Sequence, residues 1–188
     1  GFYKKTKNTK GETEILTLDL NTLEYNPKAK TKFATLESTK SIDNLKQRFK
    51  VLFGGKDNAG EFYRDSFFGL FQYVSNRIPE IADELFKIDD AVCAGFGWDL
   101  GPFETWDAVN AEETLSAMEL AGYKPNPWVY EMLSAGNKSF YKIENGQRKY
   151  YDIPSKSYKN IPGKEEFIIL ENLKDQIVWK NAESKVTD

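Results

Sequence analysis

Histidine is absent from this 188-residue sequence, and cysteine occurs once, at Cys93. The first absence removes Ser-His and Cys-His nucleophile pairs, a histidine general base and most transition-metal sites, because imidazole is the usual proton acceptor and nitrogen ligand near neutral pH. A single cysteine excludes an intrachain disulfide and a cysteine-rich metal centre. Cys93 falls beside an apolar helical stripe, where a buried structural thiol is expected. A reactive thiol needs a cation or a helix N-terminus beside it.

Long hydrophobic runs are missing too. No stretch approaches the roughly 20 apolar residues of a membrane helix, and the basic start "GFYKKTKNTK" is not followed by the apolar segment of a secretory signal. No membrane span is expected; the expected location is the cytoplasm, with an organellar matrix as the alternative. A start at "GFYKK" without methionine suggests a piece of something longer.

Charge of one sign is not in excess. With 26 basic and 29 acidic residues, the formal net charge is −3, so no global attraction to nucleic acid is expected. Phosphate-binding fingerprints are lacking: "FGGKDNAG" at 53–60 does not have the G-x-x-x-x-G-K-[ST] spacing and follows a predicted helix, which makes it a helix-to-helix turn. No G-x-G-x-x-G occurs, the "GFG" at 95–97 included. Aromatics reach 14%, but at helical spacing and amid balanced charge they read as core and not as a base-stacking platform.

What is present is the composition of a globular chain with one main core. "EILTLDL", Glu14 to Leu20, alternates as a short strand, and "YNPKAK" after it reads as a loop. Ile42, Leu45, Phe49 and Leu52 predict a helix over about 36–53, stopped by Gly54-Gly55. Asp57 starts a second, with Phe62, Phe67, Phe71, Val74 and Ile78 along one face until Pro79 interrupts it. Ile78, Ile81, Leu85, Ile88 and Val92 then form the stripe of a third. Three shorter helices follow, opened by Gly101-Pro102, by Asn110 with Glu113 as a capping box, and by Asn126-Pro127; Gly122 and Gly136 close the last two. In "SFYKIENGQRKYYD" the period becomes alternating, and Asn145-Gly146 predicts a hairpin with strands at 139–144 and 147–152. From Ser155 a lysine-rich loop, an apolar "FIIL" and an amphipathic "NLKDQIVW" read as a linker. Residues 1–35 are thus a connector, 36–136 a helical domain, and 137–188 a hairpin and linker towards a further domain.

Glu80, Asp83, Glu84, Asp89 and Asp90 cluster in the predicted third helix. Two carboxylates held a few ångströms apart would suit glycosidase or metal chemistry; the solvated face of an amphipathic helix is the expected reading.

"GFGWDLGPFETWD", 95–107, combines three glycines and a proline with four aromatics and a closing aspartate. Together with "SNRIPEIADE" at 75–84, it resembles the C-terminal helical domain of the 3-hydroxyacyl-CoA dehydrogenase family, in particular the second copy of that domain in long β-oxidation proteins. In those, a Rossmann dehydrogenase half precedes a crotonase-type enoyl-CoA hydratase half. "GFYKK" at the start resembles the motif that ends a first helical copy, and "SFYKIENGQRKYYD" occupies the analogous place after the second.

The resemblance implies a mainly α fold with a small appended β-hairpin and short strand or irregular flanks. It implies a parent that oxidises a 3-hydroxyacyl-CoA with NAD, partnered within one polypeptide by Rossmann, first helical and crotonase domains. It also implies that the catalytic histidine and the NAD site lie outside this chain, so that the segment alone binds no cofactor and is inactive. Asn76 falls where the first copy carries an asparagine that assists the reaction; here a helix-packing role is expected. Gly95, Gly97, Gly101 and Pro102 are expected to shape a corner filled by Phe96, Trp98, Phe103 and Trp106 and closed by Asp107. The alternative is a self-contained acyl-CoA or protein-binding module whose aromatic corner is exposed.

Overall fold

A computed structural model describes residues 1–28, 31–144, 146–163, 177–180 and 185–187. The described residues form seven helices with small antiparallel sheets before and after them, a mainly α fold as the resemblance implies.

The first sheet holds β1 (Tyr3–Lys7), β2 (Thr13–Leu18) and β3 (Tyr25–Pro27) in that order. Asn8 closes its first turn by accepting the Lys10 and Glu12 N–H groups on Oδ1, both at 2.9 Å. Asp19 does the same at the second with Asn21 and Thr22. "YNPKAK" is therefore not wholly loop: Tyr25–Pro27 pairs with Leu16–Leu18. Proline is tolerated there because the strand lies at a sheet edge. None of the sheet's side chains is buried.

The helix expected over 36–53 divides into α1 (Ala34–Thr39) and α2 (Leu45–Gly54). The break follows from side chains that compete for the backbone. Thr39 Oγ1 donates back to the Leu36 carbonyl at 2.8 Å, and Asn44 caps α2 by accepting the Gln47 N–H at 3.0 Å. Arg48 donates twice to the Ile42 carbonyl, which fixes the link between them. Gly55 lies against Thr35 so closely that a Cβ there would overlap the threonine side chain. Asp57 caps α3 (Asn58–Asn76) through the Gly60 N–H and also accepts the Thr35 N–H at 3.0 Å, tying α1 to α3. These bonds, the one from Thr35 first, hold its carboxyl down at about 2.

Helix α3 buries Phe68, Phe71, Val74 and Ser75, whereas Phe62 is 68% exposed. The step from 62 to 67 is five residues, which at 3.6 per turn rotates Phe62 away from the others. Beyond Asn76 the chain runs through turns to α4 (Leu85–Phe96). The stripe drawn from Ile78 to Val92 is thus helical only from Leu85, and Ile81 is exposed. Pro79 lacks the N–H that a continuous helix needs, and it disfavours helical geometry at Ile78.

Helices α5 (Pro102–Ala108), α6 (Ala111–Leu120) and α7 (Pro127–Ser134) start where their caps predict. Gly122 and Gly136 stand at φ +85° and +86° just past α6 and α7. The box at Asn110 is one-sided: Asn110 accepts the Glu113 N–H at 3.4 Å, while its own N–H goes to the Asp107 carbonyl.

The hairpin is β4 (Tyr141–Glu144) and β5 (Gln147–Asp152), turning through Gly146 at φ +73°. A third strand, β6 (Ser157–Asn160), lies where a loop was expected. Asp152 supports the turn before it by accepting the Ser155 N–H at 3.1 Å, and the Tyr158 ring meets Tyr151 edge-on. Strands β7 (Ile177–Lys180) and β8 (Lys185–Thr187) pair separately. "FIIL" and most of "NLKDQIVW" lie outside the described residues.

Helices and second sheet share one core. Trp106 is fully buried, stacked on Phe71 at 4.8 Å between ring centroids and 5.0 Å from Phe140; Phe103, Met118, Val129 and Met132 surround them. Each such burial contributes roughly 1.5–3 kcal/mol. Tyr150, Tyr151 and Ile161 extend the same cluster, so the hairpin packs on the helices directly.

Candidate functional site

The stretch 95–107 faces two ways. Gly97 takes the left-handed conformation, φ +68°, and closes α4 with its N–H on the Cys93 carbonyl at 2.9 Å. Gly101 then passes so near Asp89 that a Cβ would overlap both its side chain and its Cα. Phe103 and Trp106, three residues apart on α5, point into the core. Phe96 and Trp98 do not fill the angle between the helices: they are 77% and 40% exposed. Phe96 ends α4, past the stretch of that helix that meets the core, and Trp98 belongs to the link before α5. The Trp98 ring stands 6.2 Å from Phe67 and borders an apolar groove of 280 Å³ with Leu45, Phe49 and Leu100.

Behind the stretch sit two buried aspartates. Asp89, on α4, accepts the Phe103 N–H at 2.9 Å on Oδ1, and the Glu104 N–H at 3.1 Å and the Tyr141 hydroxyl at 2.8 Å on Oδ2. It therefore supplies the side-chain cap that Gly101 cannot give α5. Asp107, at the other end of α5, accepts the Phe140 and Tyr141 N–H groups at 2.8 and 2.9 Å, which fixes the start of β4. Glu104 lies between them on α5: Oε2 accepts the Gly101 N–H at 2.7 Å, and Oε1 pairs with Arg148 Nη2 at 2.6 Å. The Arg148 guanidinium also lies over the Tyr141 ring, 4.0 Å from its centroid.

Burial pushes Asp89 and Asp107 up to about 7 against the pull of these donors, and drives the Tyr141 hydroxyl well above its usual range. Raised carboxyls mark candidate acids and bases. Here, however, each oxygen of both aspartates accepts a main-chain N–H, so both carboxyls serve the fold. Asp89 corrects the expectation of a solvated acidic face, because it is buried beside Ile88 on the stripe itself. The cluster does not share one helix either: Glu80 and Asp83 lie in the turns before α4, and Glu84 is its N-cap residue. Sequence periodicity gives no signal for a buried aspartate; its only trace is that Asp89 falls at i+4 from Leu85.

Between α2, α5 and β4–β5 opens a cleft of 310 Å³, bordered by Lys46, Lys50, Glu104, Asp107, Tyr141 and Arg148 among others. Cys93 is half-buried, and burial followed by the charges of Glu104 and Asp89 pushes its thiol up, away from a reactive thiolate. Among the described residues, no group of three His, Cys, Asp or Glu side chains is arranged to hold a metal ion, and no helix is long and apolar enough to cross a membrane.

Asn76 stands apart from this region, at the end of α3. Its Nδ2 donates to the Gln72 carbonyl at 2.8 Å and to the Lys124 carbonyl at 3.4 Å. Ser75 beside it accepts the Trp128 indole N–H on its carbonyl at 3.1 Å and the Asn126 N–H on its hydroxyl at 3.1 Å. The end of α3 is thereby tied to the α6–α7 link, and Asn76 borders a cleft of 600 Å³ with Tyr123 and Tyr130.

No family model and no solved structure matches the chain. A probable 3-hydroxyacyl-CoA dehydrogenase of Bacillus subtilis (strain 168) is 36% identical over 190 residues, spanning 100% of this chain and 23% of that protein. A putative fatty acid oxidation complex trifunctional enzyme of Rickettsia felis is 25% identical over 181 residues, spanning 92% of this chain and 21% of its own length. The chain thus spans less than a quarter of the length of these curated relatives. It is related along its whole length to a segment of a protein named as a probable 3-hydroxyacyl-CoA dehydrogenase, and over most of it to a segment of one named for fatty acid oxidation, the family that "GFGWDLGPFETWD" and "SNRIPEIADE" resemble.

Proposed function

We propose that this chain is the helical, non-catalytic segment of a longer fatty-acid β-oxidation enzyme. The parent oxidises a 3-hydroxyacyl-CoA to the 3-oxo thioester with NAD as hydride acceptor, and carries an enoyl-CoA hydratase half. The observation that carries this reading is the 36% identity over the whole chain to under a quarter of a probable 3-hydroxyacyl-CoA dehydrogenase. The absence of histidine agrees with it, since the proton acceptor must then come from elsewhere in the parent.

Within that parent the segment packs against a first helical copy as a pseudo-dimer and shapes the substrate cleft. Residues 95–107 are its structural corner, with Trp106 and Asp107 as anchors, and Asn76 serves packing between α3 and the α6–α7 link. Deleting residues 57–135 from the parent lowers its dehydrogenase rate and its stability. Unchanged rate and stability after that deletion contradict the proposal.

A second reading is favoured by one observation, the exposure of Phe96 and Trp98 beside the apolar groove. An apolar surface of this kind suits an acyl-CoA or protein-binding module. On this reading Trp98→Ala leaves the fold intact and abolishes binding of an acyl-CoA such as acetoacetyl-CoA. Unchanged binding in that variant removes it.

A further inference from the structure

The cleft between α2 and the second sheet is cationic in a way that folding does not use. Lys46 and Lys50 are four residues apart on α2, so their side chains share one face of the helix. Both are exposed and both border the cleft. Neither ammonium group makes an ion pair or a hydrogen bond among the described residues, whereas Lys142 across the cleft pairs with Glu144 and lies over the Tyr158 ring.

Arg148 completes the set. One nitrogen of its guanidinium is committed to Glu104 at 2.6 Å, and its carbon lies over the Tyr141 ring, 4.0 Å from the centroid. The remaining N–H groups have no partner among the described residues. A guanidinium presents its donors in a planar fork, which suits phosphate oxygens, while ammonium groups on flexible stems close around them as point charges.

Of the two carboxylates on the cleft wall, Glu104 balances the charge of Arg148, and Asp107 turns both oxygens onto the Phe140 and Tyr141 N–H groups. The positive charge left without an ion-pair partner is that of Lys46 and Lys50, and Arg148 contributes hydrogen-bond donors. A volume of 310 Å³ accommodates one tetrahedral anion with part of whatever carries it.

We propose that Lys46, Lys50 and Arg148 form a binding site for a phosphomonoester dianion. The site is independent of the scaffold role above, because it needs only the helical body and its sheet.

The test is isothermal titration of the 188-residue chain at pH 7.5 with inorganic phosphate, with AMP as a carried phosphomonoester and with adenosine as the uncharged comparison. Saturable binding of phosphate and AMP is expected, with none of adenosine. AMP tighter than phosphate assigns the ligand to an ester, and equal affinity assigns it to the phosphate group alone; either supports the site. Lys46→Ala/Lys50→Ala weakens both by at least about tenfold, because two charge-assisted contacts are lost. Its thermal midpoint stays unchanged, since both side chains are exposed. Lys87→Ala, on α4 and paired with Glu84, leaves binding as it was. Failure of phosphate to bind, equal binding by the double variant, or adenosine binding as well as AMP overturns the proposal. None of these outcomes bears on the deletion experiment in the parent.

Discussion

Between pH 5 and 8 the stability of this fold is expected to fall as pH rises, against the usual trend of a carboxylate-rich protein. The cause is the pair of aspartates behind the 95–107 stretch. Burial raises Asp89 and Asp107 from 3.8 to about 7 in the folded state, while an unfolded chain holds them near the ordinary value. Between those two values the folded state carries protons that the unfolded state has released. Stability from this source is therefore fully present below about pH 4, declines as pH rises, and is lost above about pH 7, where both states are ionised. Each group contributes a slope approaching about 1.4 kcal/mol per pH unit inside that window. Over two units that is about 3 kcal/mol for one aspartate, or a midpoint shift of roughly 6–12 °C for a chain of this size. Asp57, Asp19 and Glu144 are shifted downward and act only at acid pH. Thermal unfolding followed by circular dichroism at pH 5, 6, 7 and 8 reads the slope. Asp107→Asn separates it from other effects: the amide keeps one acceptor for the Phe140 and Tyr141 N–H groups and loses the other, so stability at pH 5 drops by about 1–3 kcal/mol. The slope flattens at the same time. A midpoint that stays level or rises from pH 5 to 8, or an asparagine variant with the parent's slope, refutes the reasoning.

Trp106→Ala should cost about 3–5 kcal/mol in urea unfolding, because it leaves a cavity between Phe71 and Phe140, whereas Trp98→Ala should stay within about 1 kcal/mol; equal losses contradict the two-way division of the aromatic stretch. Gly101→Ala should destabilise by about 1–3 kcal/mol or more through overlap with Asp89, read as a lower thermal midpoint, and a neutral result means that α4 and α5 can separate there. Asp57→Ala should lower the thermal midpoint as a lost cap, with faster hydrogen exchange at the Thr35 amide as its local signature; unchanged exchange there contradicts the tie between α1 and α3.

Caps and turns were the most legible part of the fold. Asp57, Asn110 and Asn126 each cap the helix they open, and Gly101-Pro102 starts α5, because a polar side chain or a proline acts on its own turn and needs no distant partner. Continuous stripes were less reliable. The 36–53 run hides a break set by Thr39, Asn44 and Arg48, whose bonds to the backbone leave hydrophobic spacing intact. Strand β6 was missed because its identity lies in pairing with β5, a non-local contact that "SYKN" does not announce. At the candidate site the gap is chemical. Asp89 looks like one more acid in an acidic run, and only the approach of Phe103, Glu104 and Tyr141 makes it a buried cap. Nothing in the sequence sets Lys46 and Lys50 apart from other lysines; only the fold places Arg148 of β5 on the same cleft.

On the proposed function, this segment shapes the parent enzyme and does not itself perform the reaction. Incubating the purified 188-residue chain with NAD and 3-hydroxybutyryl-CoA and following NADH by absorbance tests this. No NADH above the protein-free rate is expected at any protein concentration. NADH formation proportional to the chain, with 3-oxo thioester as product, would place a base and a dinucleotide site within these residues and contradict it.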